Sequence, residues 1–462
     1  MIYIRTTAYN AEKTLKRAID SILQQTYQDF EYHILDNGST DRTGDIIRAY
    51  AEKDRRIVPY FNKVNHDHQE NPAFWNLFKH IPEGEYFSIL DSDDAYAPTF
   101  FQEMLSFMET NHLEVAACGS VFLDAESGET VRNTVMEQNI VARNPQIFDR
   151  YFPKFHWNLR QLWGKLYSSR AVAAWYDINN RPDWYPKGGY GGDTINVLQS
   201  VCTVKQFGVY AKALHYYTIS KKSASYKWKS GREGSDLILH EKTVEFLQDC
   251  CGTVSEHNLR FLYMVYCYAV RDTIRVLMNS NLSLNGKLNC LKTILSRELT
   301  KQAFSADLSI FKVTDQDQLV QNVLQWLVSQ RGYAQEDAPV LVEICTSRNP
   351  DFERLVPGDT VLWYLRRTPK TVLALAEKDY LTAATTLAEV LAKGCTELFP
   401  VVLAQTLASL LGNQEAYVIY SKFLMELQIQ ADMYEDAEKA LREWETLLPG
   451  DEDLAELRKL LP

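Results

Sequence analysis

Three carboxylates within four residues, Asp91, Asp93 and Asp94, follow the apolar run Tyr86-Phe87-Ser88-Ile89-Leu90. Such a run reads as a β-strand whose carboxyl end opens into an acidic turn. In an open α/β sheet, ligands bind in the crevice beyond the carboxyl ends of the strands. Carboxylate oxygens at that place are hard ligands, suited to a Mg²⁺ or Mn²⁺ that holds a phosphate. The plainer reading is an Asp-rich turn with no ligand, because Asp favours turns anyway. Two further carboxylates stand at comparable places: Asp36 opens the turn sequence Asp36-Asn37-Gly38-Ser39-Thr40-Asp41, and Asp193 follows Gly188-Gly189-Tyr190-Gly191-Gly192. His66-x-His68 also invites a metal reading, but it sits in a polar stretch with no third ligand nearby.

The elements that must position these groups alternate. Residues 1–7 read as a strand, and Asn10 as the N-cap of a helix carrying Leu15, Ala18, Ile19, Ile22 and Leu23 at helical spacing. Phe30–Leu35 is the next strand, followed by a helix capped by Thr40 or Asp41 with Ile46, Ile47 and Tyr50 inward. A third strand at Ile57–Phe61 and a short helix near residues 73–80 lead into the acidic strand. Alternation of this kind predicts a mostly parallel sheet with helices on both faces. A helix from Phe100 and a strand at Val115–Phe122 continue it, and after about residue 230 the pattern is helical throughout.

At 462 residues the chain is too long for one ordinary core. A net charge of −11 argues against nucleic acid and anionic membrane as main partners, since both call for basic patches. Eight cysteines without any C-x-x-C predict reduced thiols in a cytoplasmic setting. No secretory signal opens the sequence, and its longest apolar run, residues 261–270, is too short to cross a bilayer, which needs about 20 residues. Any membrane association is therefore expected to be peripheral.

Thr7-Ala8-Tyr9-Asn10, then Ser21-Ile22-Leu23-Gln24-Gln25-Thr26-Tyr27, then Asp36-Asn37-Gly38-Ser39-Thr40-Asp41 and Asp91-Ser92-Asp93-Asp94, in that order, resemble the family-2 glycosyltransferases. Ala8 stands where relatives usually carry Pro, and Asn37 where they carry a second Asp. The resemblance implies a glycosyltransferase-A fold: an α/β domain with a mostly parallel mixed sheet, over residues 1–230. It implies an inverting, metal-dependent hexosyltransferase that moves a sugar from a nucleotide sugar, UDP-linked, to an acceptor hydroxyl. Thr7, Ala8, Tyr9, Asn10 and Asp36 would meet the base and ribose. Asp91 and Ser92 would lie by the donor, and Asp91 and Asp93 would hold Mn²⁺ or Mg²⁺ against the diphosphate. Asp94 is either a helix cap or a catalytic group.

Gln161–Tyr167, with Trp163 and Lys165, resembles the segment that precedes the family's catalytic base, and Asp193 falls where that base is found, although its usual Glu neighbour is Gly192. As a base it would take the acceptor's proton; the plainer reading is an N-cap. His215 is a candidate third metal ligand or a packed strand histidine, and Lys221 or Lys222 would supply positive charge at the diphosphate. A helical extension is expected at 231–340 and a helical-repeat region at 341–462. There, Ala376–Ala383 and Leu410–Tyr417 share a helix–turn–helix pattern at a period that fits tetratricopeptide-like pairs. Such repeats suit an acceptor protein, peptide or glycan, or assembly into a homo-oligomer. The alternative, from a different class, is a catalytically inactive nucleotide-binding scaffold that recruits a protein through these repeats.

Overall fold

The computed structural model describes residues 1–65, 72–77, 80–175, 190–219, 227–314 and 316–462. Its contacts divide the chain into two compact units, Met1–Ala269 and Val270–Pro462. The sequence reading places boundaries at 230 and 340 instead. The helices after residue 230 explain the difference. Arg232–Cys251 sends Phe246 against Phe148 and Phe152 of helix Pro145–Phe155, and Asn258 Nδ2 donates to Asp149 Oδ1 at 2.8 Å. They complete the core of the first unit.

The first unit is built on one mixed sheet. Its strands are β1 (Ile2–Ala8), β2 (Phe30–Asp36), β3 (Ile57–Phe61), β4 (Tyr86–Ile89), β5 (Ala95–Tyr96), β6 (Val115–Asp124), β7 (Thr130–Thr134), β8 (Ile140–Ala142), β9 (Lys165–Ser168) and β10 (Phe207–Ile219). The main order is β3-β2-β1-β4-β9-β6-β10-β5. The half containing β3, β2, β1 and β4 is parallel. β9 is wedged antiparallel between β4 and β6, and β6 runs parallel to β10. Ile2, Ile4, Tyr32 and Ile34 are fully buried, as expected for strands covered on both faces. Helix α1 (Leu15–Leu23) presents Leu15, Ala18, Ile19 and Ile22 to that core, where each large aliphatic side chain contributes about 1.5–3 kcal/mol.

Connections at the carboxyl ends of β1 and β2 are tied together by side chains. Asn10 is not the cap of α1: it sits at φ +49°, its Oδ1 accepts from Thr40 N at 2.9 Å, and its own N–H donates to Ser39 Oγ. Asp41 does serve the next helix, α2 (Thr43–Ala51), by accepting from Thr43 N at 2.9 Å, while its second oxygen accepts from Glu12 N. Gly38 lies at φ +73°, and a Cβ there would stand 2.2 Å from the Val64 carbonyl carbon. Strain and collision act together at this position. Gly38→Ala is therefore expected to destabilise the chain by about 2 kcal/mol or more, read from the urea midpoint. An unchanged midpoint would show that this turn relaxes freely.

The second unit is helical. Lys378, Gly412 and Asp432 each take a left-handed conformation at a tight turn between antiparallel helices, the first two 34 residues apart and the third 20 further on. Asp379 and Asn413, one residue later, cap the next helices by accepting from Thr382 N and Ala416 N. Among the described residues no helix is long and apolar enough to cross a membrane.

Candidate active site

β1 is the point at which the strand order reverses: β2 lies on one side of it and β4 on the other. The register pairs Ala8 with Asp36, and Arg5 with Ile89, so the ends of all three strands open into one crevice. Thr7 and Tyr9 face outward there, Tyr9 at 47% exposure, whereas Ala8 is fully buried and gives its carbonyl to Asn37 N. Asp36 is 7% exposed, and one of its oxygens accepts from Ser39 N at 3.0 Å. Its other oxygen fills the space above Gly44, where a Cβ would come within 2.7 Å of it.

Thr6 Oγ1, fully buried, donates to Leu90 O at 2.6 Å and fixes where β4 ends. Beyond it, Asp91–Asp94 form a turn. Asp91 is open to the crevice, yet the protein packed around it pushes its carboxyl well up, and Asp94, Asp193 and Asp93 push it further; Arg5 opposes them. Asp93 is raised as well, chiefly by burial, with Arg17 and His215 opposing. Asp193 lies in the first turn of helix Gly192–Val204, exposed, where the helix dipole favours its ionised form. Gly191 precedes that helix at φ +89°, and a Cβ there would also meet Leu239 Cδ1 at 2.7 Å. The charge of Asp193 thus acts on Asp91, although the two come from distant stretches.

Lys165, on β9, is fully buried and donates to the carbonyls of Gln161 and Trp163. Burial pulls its ammonium down to about 7, and Cys118 and Asp193 push it back up.

His215, expected as a third metal ligand or a packed strand histidine, is packed within the strand. It is fully buried in β10, stacked on Trp163 at 4.5 Å, with Nδ1 3.1 Å from Ser120 Oγ and Nε2 3.2 Å from Asp94 Oδ2. Despite that approach, neither Nε2 nor Asp94 Oδ2 makes a hydrogen bond. Burial drives His215 down to about 3, aided by Lys165 and Arg17, and drives Asp94 up, so both tend to neutrality. Nor does Asp94 cap the following helix: its Oδ1 accepts from Thr218 N at 2.8 Å and ties the acidic turn to the end of β10.

Arg17 is the residue that sequence reasoning missed. From α1 its guanidinium donates to Asp93 O and to Thr218 Oγ1, placing a cation beside the acidic turn. Its position between the inward-facing Leu15 and Ala18 was the only available signal. Lys221 and Lys222, expected to carry that charge, and His66 and His68 lie outside the described residues.

The donor set can be tested against a divalent cation. Asp91 holds its charge at a cost against burial and its acidic neighbours, and Asp93 against burial, a cost that a cation would offset. Among the described residues no three His, Cys, Asp or Glu form a metal cage. A Mg²⁺ bound through one or two carboxylates takes its other ligands from water and substrate phosphates.

A switch-point crevice floored with acidic strand ends, on a sheet of this order, is a place where an α/β fold binds ligands. Residues 3–169 match the model for glycosyl transferase family 2. An uncharacterized glycosyltransferase of Haemophilus influenzae is 36% identical over 129 residues, 28% of this chain and 50% of that one. Glycosyltransferase GlyA of Streptococcus pneumoniae is 26% identical over 240 residues, 49% of this chain and 32% of that one. The chain spans about half the length of the first curated relatives it matches. Among solved structures, S. aureus TarS 1–349 in complex with UDP-GlcNAc aligns over 82% of this chain and 91% of that one, at 17% identity and a TM-score of 0.39, too loose to carry an argument.

Proposed function

We propose that the chain is an inverting, metal-dependent glycosyltransferase that uses a nucleotide sugar, UDP-linked, and an acceptor hydroxyl. The observation that supports this reading is the acidic turn Asp91–Asp94 at the carboxyl end of β4, next to β1 where the strand order reverses, within the stretch 3–169 that matches the glycosyl transferase family 2 model. Thr7, Tyr9 and Asp36 would hold the base and ribose, Asp36 by accepting from a pyrimidine ring N–H. Asp91 and Asp93 would hold Mn²⁺ or Mg²⁺, which when bound neutralises charge on the leaving diphosphate. Arg17 adds a fixed positive charge beside them. Asp193 takes the proton of the acceptor hydroxyl as its oxygen bonds to the anomeric carbon and the bond to the diphosphate breaks. The reading places the enzyme in the cytoplasm, with its tetratricopeptide-like helical hairpins offering a surface to an acceptor protein, peptide or glycan or to a second copy.

Thermal unfolding with a panel of nucleoside diphosphates, with and without Mn²⁺, tests the donor site. A ligand at 100 times its Kd stabilises the folded state by about 2.7 kcal/mol. A metal-dependent rise in Tm with UDP is expected. A rise that appears equally without metal would remove the metal from the reading, and no rise with any nucleotide would favour a scaffold that binds protein only.

A further inference from the structure

The second unit holds a cavity of about 210 Å³ between the loop after helix Gln316–Ser329 and helix Val361–Arg367. Its floor is Leu362 and Leu365, and Arg331 and Arg366 stand at its wall with Gly332 and Tyr333. Tyr333 is buried and its hydroxyl donates to Leu327 O at 2.6 Å, so the loop is pinned and the wall is formed without a ligand. Gly332, at φ +85° with open space around it, allows the chain to turn there.

These two arginines differ from several others of their unit. Arg354, Arg367, Arg442 and Arg458 of the same unit each pair with a carboxylate. Arg331 and Arg366 have no such partner among the described residues. Arg331 reaches only Gln330 O at 3.4 Å, and Arg366 only Tyr333 O at 3.5 Å, both at the long limit of a hydrogen bond. The whole chain carries a net charge of −11, so two guanidinium groups left to one cavity run against the general balance. A guanidinium presents a planar fork of donors that matches the oxygens of a phosphate. An apolar floor beneath two such forks suits a phosphate attached to a short organic carrier.

We propose that this cavity is a phosphate-binding site, separate from the crevice of the first unit, with Arg331 and Arg366 as its two donors. The test is a thermal and calorimetric titration of the full-length protein with sodium phosphate, against sodium chloride of matched ionic strength. It is run on the wild type and on the Arg331→Gln/Arg366→Gln variant. Phosphate also enters a nucleotide crevice, but that crevice is the same in both proteins, so their difference isolates the cavity. Loss of both arginines is expected to weaken phosphate binding at the cavity at least tenfold, since each charged hydrogen bond is strong. Arg366→Lys, which keeps the charge and loses the fork, is expected to fall between the two and serves if the double variant does not fold. Dimethyl phosphate in a parallel titration names the source: binding of both probes assigns a phosphodiester, and binding of inorganic phosphate alone assigns a monoester or the free ion. Equal responses of wild type and double variant, or an equal effect of chloride, would overturn the proposal.

Discussion

With Asn in place of Asp193, donor binding is expected to persist while sugar transfer slows by about 10²–10⁴-fold, the usual contribution of a positioned general base. The amide is nearly isosteric and keeps the first turn of helix Gly192–Val204 supplied with a polar group, so the fold is expected to hold. What it removes is a site for the acceptor's proton. It also removes a negative charge that acts on both Asp91 and Lys165. The check is a donor titration by calorimetry beside a steady-state transfer assay. Equal loss of donor affinity and of rate would make Asp193 a part of the donor site; an unchanged rate would take it out of the reaction.

Asp91→Asn is expected to act in opposite directions on two properties. Turnover should fall by about 10³-fold, because the lost charge stabilisation is worth several kcal/mol. The metal-free protein, in contrast, should melt at a higher temperature at neutral pH. The sign follows from linkage. Folding raises the pKa of Asp91 above its unfolded value near 3.8. Below that value both states are protonated and the residue is neutral in the balance. As pH rises, the unfolded chain ionises first and the folded state loses stability until pH passes the raised folded value. A carboxylate held in an ion pair behaves in the reverse manner. The measurement is Tm against pH for wild type and variant in the presence of a chelator. Curves that run parallel from pH 3 to 8 would show that the acidic turn carries no such burden.

The sequence was most informative where one residue type at one place has few uses. Alternating apolar runs announced β1 to β4, and Asp36, Asp91, Asp93 and Asp193 were all recognisable from their places at strand or helix ends. What escaped depended on pairing across the sheet. β9 is four residues long, and its antiparallel entry between β4 and β6 is set by tertiary partners, not by its own pattern. His215 had the right chemistry for a ligand, but only the packing of Trp163, Ser120 and Asp94 around it decides that it is enclosed. Arg17 is the converse: an ordinary helix-surface arginine by spacing, whose partners at Asp93 and Thr218 are 76 and 201 residues away. The compact units divide after Ala269 and not at residue 230, because helical periodicity reports that a helix exists and not which core it completes.

The acidic turn is fixed before any ligand arrives. Thr218 N and Arg17 hold it from one side, and Thr6 holds the strand that leads to it. A rigid floor of like charges sorts its visitors at the threshold. A bare diphosphate meets repulsion from several carboxylates at once, whereas a nucleotide already carrying its counter-ion does not. Order of arrival therefore becomes a property of the fold: pre-mixed metal and nucleotide should associate faster than nucleotide added to metal-free protein, and added salt should narrow the gap.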